Sequence, residues 1–334
     1  MEDLLTEFSP PSYDTWLALV EKEIKRKAEI MALDEVVFAN PFLNPLNKSK
    51  IFQPISLENI PRLIFEQFEL EKSIEINKNI LLSLGGGTSA ISVKVDEATD
   101  FYQLFNQIDL SLIPVRIICN HKAALDNLNA YLIKTEKLNK VKIMVKIETE
   151  NNFKDLSVFE HEIGVDDSDN SYNDLLGAII KFEKIKIQND IPCYFSIKSK
   201  ENFYLNITRI KTLRLLIKAV NQAYKQKNTP DNILCEIKSD AENPNSAIIS
   251  LTQQFVSSIS AGANMFLPVA PNYIEDVDGT FSKRITRNIF HLLQHESYMF
   301  RNDDPVAGSY IMDDMCEKLF NQIWSKFKEL KSLH

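Results

Sequence analysis

Apolar, β-branched runs alternate with helical stretches along most of this chain, and that order constrains the fold more than any single motif. The runs are "IFQPI" (51–55), "AISVKV" (90–95), "VRIICN" (115–120), "KIMVKIE" (142–148), "IPCYFSIK" (191–198), "NILCEIK" (232–238) and "NMFLPV" (264–269). Most are apolar at consecutive positions, as strands buried on both faces must be. Between them Leu, Ile and Phe recur at spacings of three and four. These helical stretches are "LENIPRLIFEQFELEKSIEINKNILLSL", broken before Ser73, then "TDFYQLFNQI", "KAALDNLNAYLIKTEKL", "YNDLLGAIIKFEKIKI", "LNITRIKTLRLLIKAVNQAYKQ" and "SAIISLTQQFVSSISAG". The alternation predicts an α/β fold, a (β/α)8 TIM-type barrel with an N-terminal arm and a C-terminal helical tail. An open doubly wound sheet is the competing arrangement. The missing strand is expected within "LSVFEHEIGV" (156–165), inside the most polar interior stretch. The expected division is an arm over 1–40, the barrel over 41–300, and a closing turn and helix over 301–334.

Charge and cysteine usage narrow the functional classes. A net charge of -8 and a pI near 5.3 disfavour nucleic acid and anionic membrane surfaces as partners. The N-terminus "MEDLLTEFSPPSYDTW" is acidic and proline-bearing, and no run of about 18 apolar residues occurs, so the expected compartment is the cytoplasm. Cys119, Cys193, Cys235 and Cys316 stand far apart, mostly within apolar runs, which predicts buried reduced thiols rather than disulfides or a zinc site. Of eight glycines three are consecutive, Gly85 to Gly87. They follow a helical pattern and precede a strand, the order of a helix stop rather than of a phosphate cradle.

Motifs that could carry chemistry are incomplete. His291 and His295 share a helix face, but "HLLQH" puts Leu292 where a zinc-binding HExxH helix needs glutamate, so no metal is expected. "HEIG" (161–164) carries part of the DxHxxG pattern by which cobalamin domains present an imidazole, with Phe159 at the aspartate position. Polar groups at strand ends, where barrel enzymes act, are Cys119, Asn120 and His121; Glu148 and Glu150; Lys198, Ser199 and Lys200; and Lys238, Ser239 and Asp240.

The segment "FSKRITRNIFHLLQHESYMFRNDDPVAGSY" (281–310) is the most specific in the chain. It resembles the stretch closing the substrate barrel of methylmalonyl-CoA mutases. The resemblance rests on Phe281, Ser282, Arg284, Ile285, Arg287, Asn288, Glu296, Ser297, Asp304, Pro305, Gly308, Ser309 and Tyr310. "FSPPSYDTWLALVEKEIK", with Pro11, Tyr13 and Trp16, is similar to the N-terminal arm of the same family.

The resemblance implies a barrel that, in catalytic members, threads coenzyme A along its axis beneath adenosylcobalamin. It also implies losses. Ungapped from Arg287 and Asn288, the family's catalytic histidine position holds Leu267, and Asn272, Tyr273 and Ile274 replace an Asp-Glu-Ala group. Leucine can neither shuttle a proton nor donate a hydrogen bond to a thioester. No cobalamin domain follows the signature. The implied role is the non-catalytic small (beta) subunit of a heterodimeric mutase, binding no cofactor itself, with adenosylcobalamin and substrate on the large subunit. Tyr13, Trp16, Leu17 and Val20, together with the tail helix, are expected at that interface. Two further expectations follow: Phe, Ile and Leu fill the barrel axis, and Arg287 pairs with a carboxylate of the 304–309 turn. The alternative is a stand-alone barrel enzyme or acyl-CoA-binding protein with a new site.

Overall fold

The computed structural model describes residues 12–25, 56–57, 60–69, 72–138, 140–147, 159–168, 170–189, 191–225, 232–241, 243–271 and 279–332. Eight parallel strands close into a barrel: β1 (Leu63–Phe68), β2 (Ala90–Lys94), β3 (Val115–Cys119), β4 (Ile143–Ile147), β5 (Glu160–Gly164), β6 (Cys193–Lys198), β7 (Ile233–Ile237) and β8 (Met265–Pro268). β8 returns to β1 through Leu63↔Met265 and Ile64↔Phe266, which excludes the open sheet. The helices are α1 (Tyr13–Ile24), α2 (Ser73–Gly85), α3 (Phe101–Leu104), α4 (Lys122–Lys134), α5 (Ser171–Asn189), α6 (Phe203–Ala223), α7 (Pro244–Ser260), α8 (Thr280–His291) and α9 (Tyr310–Ser332).

The strand expected within 156–165 is β5. The first strand corrects the sequence reading. "LIFEQF" was assigned to a long helix but forms β1, because a short apolar run fits a buried strand and a buried helical turn equally well. The run at 51–55 lies outside the described residues. The helix expected over "TDFYQLFNQI" shrinks to α3, capped by Asp100, whose carboxylate accepts from the Tyr102 and Gln103 N–H groups.

Strand alternation divides the core. Ile64, Ile91, Val93, Ile117, Phe195 and Phe266 face outward and pack under the helices. Leu63, Phe65, Ala90, Met144, Tyr194, Leu234, Met265 and Leu267 form a separate inner cluster on the axis. All four cysteines are buried thiols, and burial pushes those of Cys235 and Cys316 up to about 12. Among the described residues no helix is long and apolar enough to cross a membrane.

α2 ends at the glycine triplet, as expected: the Gly86 N–H donates to the Leu82 carbonyl, and Gly87 takes a φ of +96°. The space is tight, since a Cβ on Gly87 would lie 2.8 Å from His291 Nε2 on α8. Gly87→Ala is therefore expected to cost roughly 1–3 kcal/mol in urea denaturation. At Gly85, where an added Cβ meets nothing within 4 Å, alanine should be neutral or stabilise by up to about 1 kcal/mol. Equal effects at the two positions would refute this packing account.

α9 lies across α5 and α6. Its apolar positions Met312, Met315, Cys316, Leu319, Ile323 and Phe327 recur at three and four and are all buried. Glu183 on α5, itself buried, binds Lys331 from α9 and accepts from the Tyr224 hydroxyl. The apolar face of the tail helix is thus covered within this chain, not left for a second one.

Candidate functional site

The barrel axis carries charge where Phe, Ile and Leu were expected. Arg116 points inward from β3 and is fully buried. Its Nε donates to Glu162 Oε2 of β5 at 2.8 Å, Nη2 lies 2.8 Å from the same oxygen, and Nη1 donates to Ser92 Oγ at 3.2 Å. Nη2 also reaches Glu236 Oε1 of β7 at 3.4 Å. The Tyr194 hydroxyl donates to Glu162 Oε2, and Ser196 Oγ donates to Oε1 at 2.7 Å. The apolar expectation holds only for the layer built from Phe65, Met144, Leu234, Met265 and Leu267.

Burial alone would neutralise these groups, and the pairing prevents it. Desolvation pushes the Glu162 carboxyl up, but Arg116, Lys146 and the two hydroxyl donors outweigh it and hold Glu162 below the ordinary carboxylate range. Desolvation likewise works against the Arg116 cation, yet Glu162, Tyr194 and Glu236 raise its pKa above the usual value. Burial, then the Glu162 charge, keeps Tyr194 protonated well beyond its ordinary range. The layer is a stable ion pair with a neutral phenol beside it.

At the C-terminal end of the strands, the catalytic end of such barrels, a cavity of about 620 Å³ opens onto this layer. Lys146 and Lys198 project from β4 and β6, with Glu162, Ser196 and Glu236 at its floor. Lys198 and Lys200, two of the strand-end groups singled out in the sequence, bind Asp167 at 3.4 and 2.8 Å. Glu148 and Glu150 lie outside the described residues. Leu267 is 2% exposed and lies in the inner apolar cluster.

His161 is buried on β5, between the inward-facing Glu160 and Glu162, so its side chain points away from the barrel axis. His291 and His295 stack ring on ring at 6.0 Å, and among the described residues no three His, Cys, Asp or Glu side chains group as a metal site requires.

Two of the signature residues of 281–310, Arg287 and Asp304, tie separate elements together. Arg287 does not pair with the turn as expected. It pairs with Glu66, an outward-facing carboxylate of β1 that also accepts from Ser83 of α2, so one acid joins β1, α2 and α8. The turn carboxylates have other cations: Asp304 binds the buried Lys211 of α6 at 2.8 Å, and Asp303 binds Arg62 at 2.7 Å. Gly308 takes a φ of +81°, and the Ser309 carbonyl accepts from the Asp313 N–H in the first turn of α9. Arg284 lies over the Phe281 ring. Asn288, Glu296, Ser297 and Pro305 are exposed, Glu296 within a π-helical turn (Leu292–Glu296) that extends α8. Tyr310 opens α9 with its side chain outside the described residues. Tyr13, Trp16, Leu17 and Val20 lie on α1, and their side chains are likewise outside them.

Sequence reasoning missed Arg116, Glu162, Tyr194 and Glu236. One signal was available: "VRIIC" sets an arginine among four apolar residues, where a charge survives only with a partner.

The sequence model described as methylmalonyl-CoA mutase matches residues 191–333. A methylmalonyl-CoA mutase of Rhizobium meliloti is 24% identical over 138 residues, 40% of this chain and 19% of that protein. A probable mitochondrial methylmalonyl-CoA mutase of Caenorhabditis elegans is 23% identical over 139 residues, again 40% of this chain and 19% of that protein. The matched stretch thus spans about a fifth of the length of these curated relatives. Among solved structures, dihydropteroate synthase from Thermus thermophilus covers 70% of this chain and 94% of its own at a TM-score of 0.43 and 7% identity, a likeness too distant to inform function. The region from β6 to α9 contains both the matched stretch and the closing signature, and over this part, less than half of its length, the chain is similar to the methylmalonyl-CoA mutase family.

Proposed function

We infer that this chain is a non-catalytic, cytoplasmic small subunit of an adenosylcobalamin-dependent methylmalonyl-CoA mutase, supporting a large subunit that holds cofactor and substrate. The observation that carries the reading is the filled axis. Phe65, Met144, Tyr194, Leu234, Met265 and Leu267 are each no more than 2% exposed, and Arg116 closes the layer above them. A pantetheine chain cannot pass through that space without displacing side chains packed at interior density. Leu267, at the position of the family's histidine, lies in the same packed layer and carries no group able to polarise a thioester.

The test is co-expression of this tagged chain with the large mutase subunit of its own organism. The expected result is a one-to-one complex that isomerises methylmalonyl-CoA, with no activity from this chain alone. A chain that stays monomeric beside that subunit at micromolar concentration would overturn the reading. The competing reading, an acyl-CoA-binding barrel acting alone, draws on the open mouth cavity. It requires calorimetric affinity of the isolated chain for coenzyme A esters, and none is expected.

A further inference from the structure

A barrel axis needs no buried charge to hold together, since well-packed apolar residues of similar volume are often as stable as a buried ion pair or more so. Here the charged layer lies directly beneath the cavity at the ligand-binding end of the fold. Of the cavity's charged groups, three are lysines and four are carboxylates; Arg116 pairs with Glu162, Lys181 with Asp166, and Lys198 and Lys200 with Asp167, which leaves Lys146 and Glu236, one of each sign, to face a ligand. A ligand with a net charge would leave one charge uncompensated in a partly desolvated space. A net-neutral ligand carrying both signs would not.

Two groups have hydrogen-bonding capacity to offer such a ligand. Lys146 Nζ comes no closer to Glu162 than 3.7 Å, beyond hydrogen-bond reach, and the side chain is 36% exposed. Glu236 meets Arg116 through one oxygen at 3.4 Å and is 22% exposed. Among the described residues the rest of the lining is aliphatic, with Ile147 and Ile185 partly exposed and Ile163, Val165 and Ile197 nearly inaccessible, and it includes no aromatic ring to stack on a sugar. We propose that the mouth of the barrel binds a small zwitterion with an aliphatic side chain, of the α-amino-acid class. Its carboxylate meets Lys146, its ammonium meets Glu236, and its aliphatic group lies against Ile147 and Ile185. The site belongs to this chain alone and does not depend on the subunit reading.

Thermal denaturation of the full chain tests it, with L-leucine, L-isoleucine and L-valine each at about 10 mM. At least one should raise Tm by about 2 °C or more. Succinate and putrescine, which carry one sign only, should leave Tm unchanged. Lys146→Met and Glu236→Gln should abolish the shift, each measured against its own ligand-free Tm, and titration of the unaltered chain by calorimetry should give one site per chain. The proposal is overturned by no shift and no binding heat with any of the three, by an equal shift with succinate, or by a shift that survives in both variants.

Discussion

Arg116→Ala is expected to destabilise the chain by about 3–5 kcal/mol at neutral pH, the usual cost of removing one partner from a buried ion pair. Glu162, with a side chain only 3% exposed, loses the cation within hydrogen-bond reach, and Glu236 and Tyr194 lose a shared donor. The loss should depend on pH. In the native chain the Glu162 pKa is depressed, so its stabilising contribution is present above the unfolded carboxylate value of about 4.3 and is lost as pH falls through the lower folded value. In the variant, burial without Arg116 raises the folded pKa instead. That penalty is absent in acid and grows as pH rises above about 4.3. Urea denaturation at a series of pH values should show the gap between the two proteins widening from acid to neutral. The double change Arg116→Met with Glu162→Gln should recover part of the loss, since it removes both charges and leaves similar volume. A loss below about 1 kcal/mol, or one flat with pH, would mean that water solvates the cluster.

Lys211→Met should cost a similar amount, about 3–5 kcal/mol, but its effect should be local to the tail. Lys211 binds both oxygens of Asp304, at 2.8 and 3.1 Å, with both side chains nearly inaccessible. Asp313 shares this corner: burial first, and then the Asp304 charge, push its carboxyl up against the pull of Lys211. Removing the cation leaves two neighbouring buried acids and favours release of the turn that carries α9. Amide exchange in 304–320 should therefore quicken more than exchange in β2 to β4. Asp303→Ala is the comparison: its partner Arg62 is 11% exposed and Asp303 itself 30%, so a smaller loss of about 1 kcal/mol is expected. Uniform exchange throughout the barrel would show that the turn and the core unfold as one unit.

Most strand positions were legible because apolar runs of five to eight residues leave few other solutions in an alternating chain. "LIFEQF" escaped because Glu66, an acid within a strand, mimics the polar face of a helix until its partners Arg287 and Ser83 are known. The pairings of the closing signature were not legible. Arg287 meets an acid 221 residues upstream and Asp304 meets a lysine 93 residues upstream, and only the folded topology brings such residues together. The axial layer was hidden for the same reason. Arg116 and Glu162 are 46 residues apart, and the inward direction of each is fixed by strand register rather than by neighbouring sequence.

The contacts of Asp303 also bear on how the chain is made. It accepts from the Leu57 N–H and from Arg62, partners 246 and 241 residues upstream. At roughly 5–20 residues per second, the segment leading into β1 leaves the ribosome on the order of ten to fifty seconds before its anchor exists. β1 also needs β8 for its second edge, so through that interval one side of the first strand has no partner and invites pairing with another chain. The β1–β8 seam cannot close before β8 has been made, and chaperone capture should act on nascent chains that have passed β1 but not yet reached residue 303.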